Sequence, residues 1–374
     1  MDNTFLPEEF RLTYERIHKV TPDITINQYK RSEVMSQLLA NMRKNNTHMA
    51  LLWAAELHMS SFFDMLMTRI IHYYICERNG SSPHILNLIT EFLMYYIHHM
   101  DNCPTITKRP RDTTYSLAVI WANDQKVRNF LGALIAGVCA SSPRNIIRIP
   151  SNITLDMSIH RGTLLTKDLT AIKTILKDDD PTEIIIPLSE IQCILNRIDI
   201  RKRPVATEFM AKAVYWLGWL ATNEKAQGKT YMCRSRPIWQ GCSKRHYREW
   251  VKQIMASKED INKHWSCLVW EIIFNTRDLE TEIKDVIGEL YHIWIIMIYR
   301  GRRRLCMDMI ITAMRFIINP MPFIEPEQFK VARDDNWRAS IKSALSINYL
   351  YKDVLENRPI TMLHTSTTNE FGYD

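Results

Sequence analysis

The stretch "NMRKNNTHMALLWAAELHMSSFFDMLMTRIIHYYICERNG", Asn41 to Gly80, decides the fold class. Its apolar residues recur at spacings of three and four, the period of a helix with one buried face. A helix over Arg31–Arg43 enters the stretch, and two further helices are predicted over Met49–Met59 and Phe62–Ile75. The Gly-Ser-Ser-Pro sequence at 80–83 ends the last of them. The stretch predicts closely packed helices and contains nothing that resembles an active site.

The helical pattern continues on both sides of this stretch. We therefore predict an all-α protein with two helical, bundle-like units joined by an irregular connector. The connector has prolines, an acidic run at Asp178–Asp180 and a mixed texture that predicts short helices and a strand pair. The predicted divisions are an N-terminal extension (1–30), a helical domain (31–148), the connector (149–205), a second helical domain (206–330) and a C-terminal segment with a polar tail (331–374).

Composition limits the partner classes. The net charge of +7 favours an anionic partner without identifying one. The start "MDNTFLPEEF" is acidic and predicts no secretory signal, and the longest apolar run is shorter than the roughly 18 residues that cross a bilayer. We expect a soluble, intracellular protein that does not enter membranes, with its eight cysteines as reduced thiols.

Residues 225–252, which we call the basic–aromatic segment, carry the strongest chemical signal. Their basic residues, opposed within the segment by Glu249, are Lys225, Lys229, Arg234, Arg236, Lys244, Arg245, Arg248 and Lys252, with Tyr231, Trp239, Tyr247 and Trp250 between them. Basic groups neutralise phosphates and aromatic faces stack on unpaired bases, so the mixture is typical of single-stranded nucleic-acid binding. Alternatively, the tryptophans belong to a core and the charges form a solvated face. The residues predicted to bind are Lys229, Arg234, Arg236, Trp239, Lys244, Arg245 and Arg248.

A second basic cluster, "YRGRRRL", places Arg302, Arg303 and Arg304 at a break between two helical patterns. Guanidinium groups readily form bidentate hydrogen bonds to phosphate oxygens, so these three residues are added to the predicted nucleic-acid contacts. They could equally cap helix carbonyls or pair with acidic residues across a subunit contact.

The chain offers only incomplete versions of catalytic and metal motifs. "NEKAQGKT" at 223–230 has Asn223 where a phosphate-binding loop needs glycine, so ATP binding is not predicted. Cys233, Cys242, His246 and His264 have a spacing that matches no common zinc site. No complete catalytic constellation can be named. We therefore predict a protein that is not an enzyme and needs no cofactor or metal.

The opening stretch resembles the C-terminal helical region of the replication-associated recombination protein A family, which are clamp-loader-like AAA+ ATPases. The matching positions are Ser36, Met42, Arg43, Ala50, Leu51, Trp53 and Ala55, continued by Arg69, Glu77 and Gly80. The chain departs from the family pattern at Ala40, at Asn45-Asn46 and at Arg78. The resemblance covers about forty residues and includes no ATPase domain.

This resemblance implies an oligomerising helical module separated from its motor, of a kind that we associate with large DNA viruses. The residues expected to serve oligomer formation or packing are Arg43, Trp53, Glu56 and Arg69. Independently of the resemblance, Arg43 and Glu56 lie on successive predicted helices, where they could pair. The predicted function is a non-enzymatic accessory of DNA replication or repair that forms homo-oligomers, contacts nucleic acid and meets other replication proteins. The alternative is a structural or virion interaction scaffold that binds no nucleic acid.

Overall fold

The structure is a computed structural model that describes residues 11–12, 23–78, 84–101, 120–167, 169–197, 206–228, 231–236, 263–299, 301–319 and 347–356. Within these ranges the chain forms helices and no β-strand, which confirms the predicted all-α class. The principal helices are α1 (Arg31–Arg43), α2 (Thr47–Met59), α3 (Phe63–Tyr73), α4 (His84–Asp101), α5 (Gln125–Ala140), α6 (Ile185–Leu195), α7 (Ala206–Ala226), α8 (Trp265–Phe274), α9 (Thr281–Tyr299), α10 (Arg303–Ile318) and α11 (347–355). None of these described helices has both the length and the apolar character that a bilayer crossing requires.

Local signals account for several helix ends. The side chain of Asn46 accepts a hydrogen bond from the backbone of Met49 and caps α2, and Asp124 caps α5 in the same way. A single π-helical turn, Tyr74–Arg78, continues α3. The strand pair predicted for the connector is wrong within the described residues, where short helical turns and α6 occupy that part of the chain.

The chain divides into two compact units that differ from the predicted domains. Unit 1 comprises Met1–Tyr73, Tyr96–Ser141 and Glu325–Asp374, and unit 2 comprises Tyr74–Tyr95 and Ser142–Ile324. The predicted connector is thus part of unit 2, because α6 packs against α7 and α8 there. Helix α11, which lies in the separately predicted C-terminal segment, belongs to unit 1.

Helix α2 is the centre of unit 1, where α1, α3 and α5 pack against it. Its Trp53 is fully buried among small alanines and meets the ring of Tyr29 edge-on, with 5.7 Å between the ring centroids. Burial of such a side chain stabilises the fold by about 2 kcal/mol or more. Trp53 therefore packs inside its own unit and is not exposed for contacts between copies.

The predicted ion pair between Arg43 and Glu56 is wrong. Glu56 is buried and its carboxylate accepts hydrogen bonds from the backbone and side-chain amides of Asn27, at 3.1 and 2.7 Å. Arg43 is exposed and its guanidinium lies over the ring of Tyr73, 5.6 Å from the centroid. Arg69, on α3, is half-buried. The hydrogen-bond donor to Glu56 is therefore Asn27, which precedes α1, and not Arg43.

A group of buried polar side chains, which we call the α11 clasp, holds α11 in unit 1. The hydroxyl of Tyr351 lies 2.5 Å from Nδ1 of His58, and the guanidinium of Arg128 lies 4.1 Å from the Tyr351 ring centroid. Arg128 also donates to the side-chain oxygen of Asn348 at 3.1 Å. At the far end of α11, Asn27 donates to the carbonyl of Val354 at 3.0 Å.

The clasp changes the ionisation of its members. Burial, together with the positive charge of Arg128, lowers the pKa of His58 to about 3. Burial lowers the pKa of Arg128 to about 10, so this guanidinium still carries its charge at neutral pH. His58 is therefore neutral in the folded protein, and its Nδ1 can accept a hydrogen bond from the Tyr351 hydroxyl.

Unit 2 has an aromatic core between α8 and α9. Trp270 lies 5.3 Å from Tyr291 and 5.9 Å from Trp294, measured between ring centroids, and Phe274 completes the group. Elsewhere in the unit, residues 149–153 pass over α7 at Gly218. A Cβ atom at Gly218 would lie 2.6 Å from Cδ1 of Ile153, so a larger residue here would require the isoleucine side chains to shift.

We predict that the α11 clasp makes the stability of unit 1 depend on pH through His58. In the unfolded chain the pKa of histidine is about 6.5. As the pH falls from there towards 3, His58 therefore binds a proton in the unfolded state but not in the folded state. Stability should therefore fall with decreasing pH by up to about 1.4 kcal/mol per pH unit. Urea unfolding of wild type and His58→Gln should show the largest difference near neutral pH and a shrinking difference in acid.

The control for this experiment is His48→Gln, which replaces an exposed histidine of the same helix. Its stability should follow that of the wild type at every pH. A difference between wild type and His58→Gln that stays constant from about pH 7 to pH 5 would show that His58 is not the titrating group.

Candidate nucleic-acid interface

The basic–aromatic segment begins at the end of α7. Residues 223–226 of the stretch resembling a phosphate loop are the last helical residues, and Gly228 has the positive φ of 64° that commonly follows a helix. The side-chain amide of Asn223 donates to the hydroxyl of Tyr231 at 2.5 Å, and both side chains are buried. Tyr231 is thus a core residue of unit 2.

Residues 231–236 run in an extended conformation beside the start of α8. Met232 forms an isolated antiparallel bridge with His264, and the backbone amide of Cys233 donates to the carbonyl of Lys263 at 2.6 Å. Burial raises the pKa of the Cys233 thiol to about 12, so it remains protonated at neutral pH.

The weak zinc pattern gains no support from the described residues. Nδ1 of His264 accepts a hydrogen bond from the backbone amide of Ser266 and caps α8, while Nε2 lies 3.5 Å from the carboxylate of Glu224. His264 is therefore a capping residue. The other two residues of the pattern, Cys242 and His246, lie outside the described residues.

The acidic run meets residues 234–236 in unit 2, and Asp180 is the centre of the contact. One carboxylate oxygen of Asp180 accepts the backbone amide of Arg234 at 2.8 Å. The other accepts the backbone amide of Lys177 at 2.8 Å and a hydrogen bond from the guanidinium of Arg236. Asp180 thus closes its own turn and fixes residues 234–236 against it.

Arg236 is a buried structural residue, so its predicted role as an exposed phosphate contact is wrong. Its side chain is 3% exposed and that of Asp180 is 2% exposed. The guanidinium also donates to the carbonyl of Ile175 at 2.7 Å and lies 3.4 Å from the carboxylate of Glu271. Burial raises the pKa of Glu271, and the charges of Arg236 and Lys177 partly offset this. Arg236 therefore has its hydrogen-bonding partners within unit 2.

Arg234 forms the second ion pair of the contact, and this pair faces solvent. Its guanidinium donates through Nε and Nη2 to one carboxylate oxygen of Asp179, the Nε distance being 3.1 Å. The two side chains are 57% and 70% exposed. The hydrogen bond to Asp179 raises the pKa of Arg234, and the charges of Asp178 and Asp180 act in the same direction. Arg234 remains available to solvent although it is paired.

Four residues of this contact are absent from the sequence-based prediction: Lys177, Asp179, Asp180 and Glu271. The Nζ of Lys177 donates to the carbonyl of Ser235 at 2.9 Å. Asp178–Asp180 are visible in the sequence as an acidic run, but nothing there links them to arginines more than fifty positions later. Together with Asp178, these acids outnumber the three basic side chains of the contact. The contact as a whole therefore carries no excess of positive charge.

The remaining predicted contacts fall into two groups. Lys229, Trp239, Lys244, Arg245 and Arg248 lie outside the described residues. Arg302 is exposed at the start of α10, after a turn in which Gly301 has a φ of 75°. Arg303 and Arg304 form the first turn of α10, whose N-terminus carries the positive end of the helix dipole and favours a nearby anion.

Comparison of the chain with protein-family models, with curated proteins and with solved structures finds no match. The family resemblance of residues 41–80 accordingly stays a prediction.

We predict that the two ion pairs of the contact differ sharply in their contribution to stability. Asp180→Asn leaves a buried guanidinium with one carboxylate fewer, and breaking such a pair costs about 3 kcal/mol or more. The matched variant Asp179→Asn changes an exposed pair and should leave the urea midpoint of unfolding nearly unchanged. Equal midpoints for the two variants would contradict the structural role of Asp180.

Proposed function

We propose that the chain is a non-enzymatic accessory protein of DNA replication or repair, a self-associating helical scaffold that contacts single-stranded nucleic acid through the basic–aromatic segment. The proposal assigns Lys229, Lys244, Arg245 and Arg248 to phosphate groups and Trp239 to base stacking. The resemblance of residues 41–80 to a clamp-loader-like helical region supports the replication context and the self-association.

The buried pair between Arg236 and Asp180 is the observation that carries this proposal. It ties the chain to unit 2 immediately before the part of the segment that contains Lys244, Arg245 and Arg248. Residues tied down at one end lose less conformational freedom when they bind a ligand than residues of a free tail. The basic residues beyond Arg236 also face no neighbouring acid in the sequence other than Glu249. The charge that could attract phosphate therefore lies beyond the anchor.

An interaction scaffold that binds acidic protein surfaces is the second candidate function. It is favoured by the pairing of Arg234 and Arg236 with acidic residues of the same chain. These pairs show that carboxylates can bind the basic residues of the segment. The affinity for oligonucleotides and its dependence on salt distinguish the two functions.

We predict that affinity for a single-stranded oligonucleotide falls steeply with salt. Each phosphate neutralised on a single strand contributes about 0.7 to the slope of log affinity against log salt, so replacing Lys244, Arg245 and Arg248 with alanine should flatten the slope by about 2. Fluorescence anisotropy between about 50 and 200 mM salt measures this slope. Trp239→Leu should weaken binding without lowering the melting temperature if the indole stacks on a base.

The matched control replaces Lys44, Lys126 and Lys284 with alanine. All three are exposed, and their loss changes the net charge by the same amount as the test variant. The control should keep most of the wild-type slope. Equal slopes for the two triple variants would show that net charge alone accounts for the change in slope. No binding at low salt would favour the interaction scaffold.

We predict self-association on the resemblance of residues 41–80. Light scattering should give a mass above the 44.1 kDa of one chain, and Arg69→Glu should lower it if the half-buried surface of α3 forms the contact. Lys44→Glu, at an exposed position outside the matched pattern, is the control for the charge change. A mass of one chain at all concentrations would exclude the oligomer.

A further inference from the structure

The two ion pairs between the acidic run and residues 234–236 differ in how easily an external anion can replace one partner. Asp180 and Arg236 are almost completely buried, whereas Asp179 and Arg234 are more than half exposed. An exposed ion pair contributes little to stability because water and salt screen it. Arg234 can therefore exchange Asp179 for another anion while the buried pair keeps the backbone of residues 234–236 in place.

The turn that carries Asp179 directs its carboxylate towards Arg234. Asp179 has a φ of 75°, in the left-handed region that residues other than glycine seldom adopt, although aspartate and asparagine tolerate it best. The Asp180 carboxylate holds the turn in this shape through the amides of Lys177 and Arg234. The position of Asp179 thus follows from a buried neighbour, and the pair is not a chance encounter of two flexible side chains.

The anions around Arg234 form a short row. Asp178, Asp179 and Asp180 are consecutive, and all three act electrostatically on Arg234. A guanidinium binds a phosphate through the same forked N–H groups that it offers to a carboxylate. The acidic run therefore presents to Arg234 the kind of partner that a nucleic-acid backbone would present.

We propose that the turn at 177–180 is an internal competitor of nucleic acid: Asp179, with Asp178 beside it, occupies Arg234 in the free protein and is displaced by a backbone phosphate on binding. This inference rests on the proposed nucleic-acid function and adds a regulatory contact to it. The competitor lowers affinity for isolated phosphates more than for a strand that also engages Lys244, Arg245 and Arg248.

The test compares Asp178→Asn/Asp179→Asn with wild type in oligonucleotide binding at low salt. Asparagine keeps the left-handed backbone and removes the charges, so the fold should be retained. Affinity should rise by up to about fivefold, which corresponds to the roughly 1 kcal/mol at the upper end for exposed ion pairs. The matched control is Glu282→Gln/Asp285→Asn, which removes two exposed charges from α9 and should change affinity by less than about twofold.

A double-mutant cycle separates local competition from net charge. In the Arg234→Ala background the two asparagine substitutions should give no gain beyond that of the α9 control, because the guanidinium that they release is absent. An undiminished gain in that background would overturn the competitor while leaving the proposed function intact. So would an unchanged affinity of the double variant alongside measurable wild-type binding. Absence of binding by wild type and by the double variant would overturn the proposed function and the competitor with it.

Discussion

Asp180 accepts three hydrogen bonds at a place that water barely reaches, and the described part of the candidate interface depends on them. Burying a carboxylate and a guanidinium costs several kcal/mol for each ion unless each finds partners of good geometry. Here the partners come from two segments, the turn at 177–180 and residues 234–236. Satisfying the buried charges therefore fixes one segment against the other, and the exposed pair of Arg234 and Asp179 takes its geometry from that requirement.

Unit 1 also buries polar side chains, and there neutral and charged groups contact one another. His58, Arg128 and Tyr351 are buried, and each satisfies part of another's hydrogen-bonding or electrostatic demand. A buried polar group left unpaired is costly, so placements of α11 that break these contacts are disfavoured. Apolar packing alone would tolerate several placements of an amphipathic helix. The polar members thus add specificity to a core that hydrophobic burial stabilises.

The sequence predicted the helices better than the contacts between them. Helix α1 has the predicted bounds, and α7 begins where the second helical domain was predicted to begin, because the period of apolar residues is a local signal. Arg236 was assigned to the wrong environment, because counting charges along a segment does not show what lies opposite them in the fold. Asp180 is 54 positions from Arg234, and a distance of that kind leaves no periodic trace. The partner of Glu56 was predicted wrongly for the same reason, because Asn27 lies 29 positions away from Glu56 in the chain.

The nesting of one unit's residues within the other's has a consequence for synthesis. Every residue of unit 2 precedes α11 in the chain, whereas the contacts that complete unit 1 join His58 to Tyr351 and Asn27 to Val354, 293 and 327 positions apart. At translation rates of about 5–20 residues per second, α2 emerges from the ribosome on the order of tens of seconds before its last partner exists. The apolar faces of α1 to α3 are without α11 during that time. The nascent chain is therefore expected to need chaperone protection on its first helices until α11 has been made.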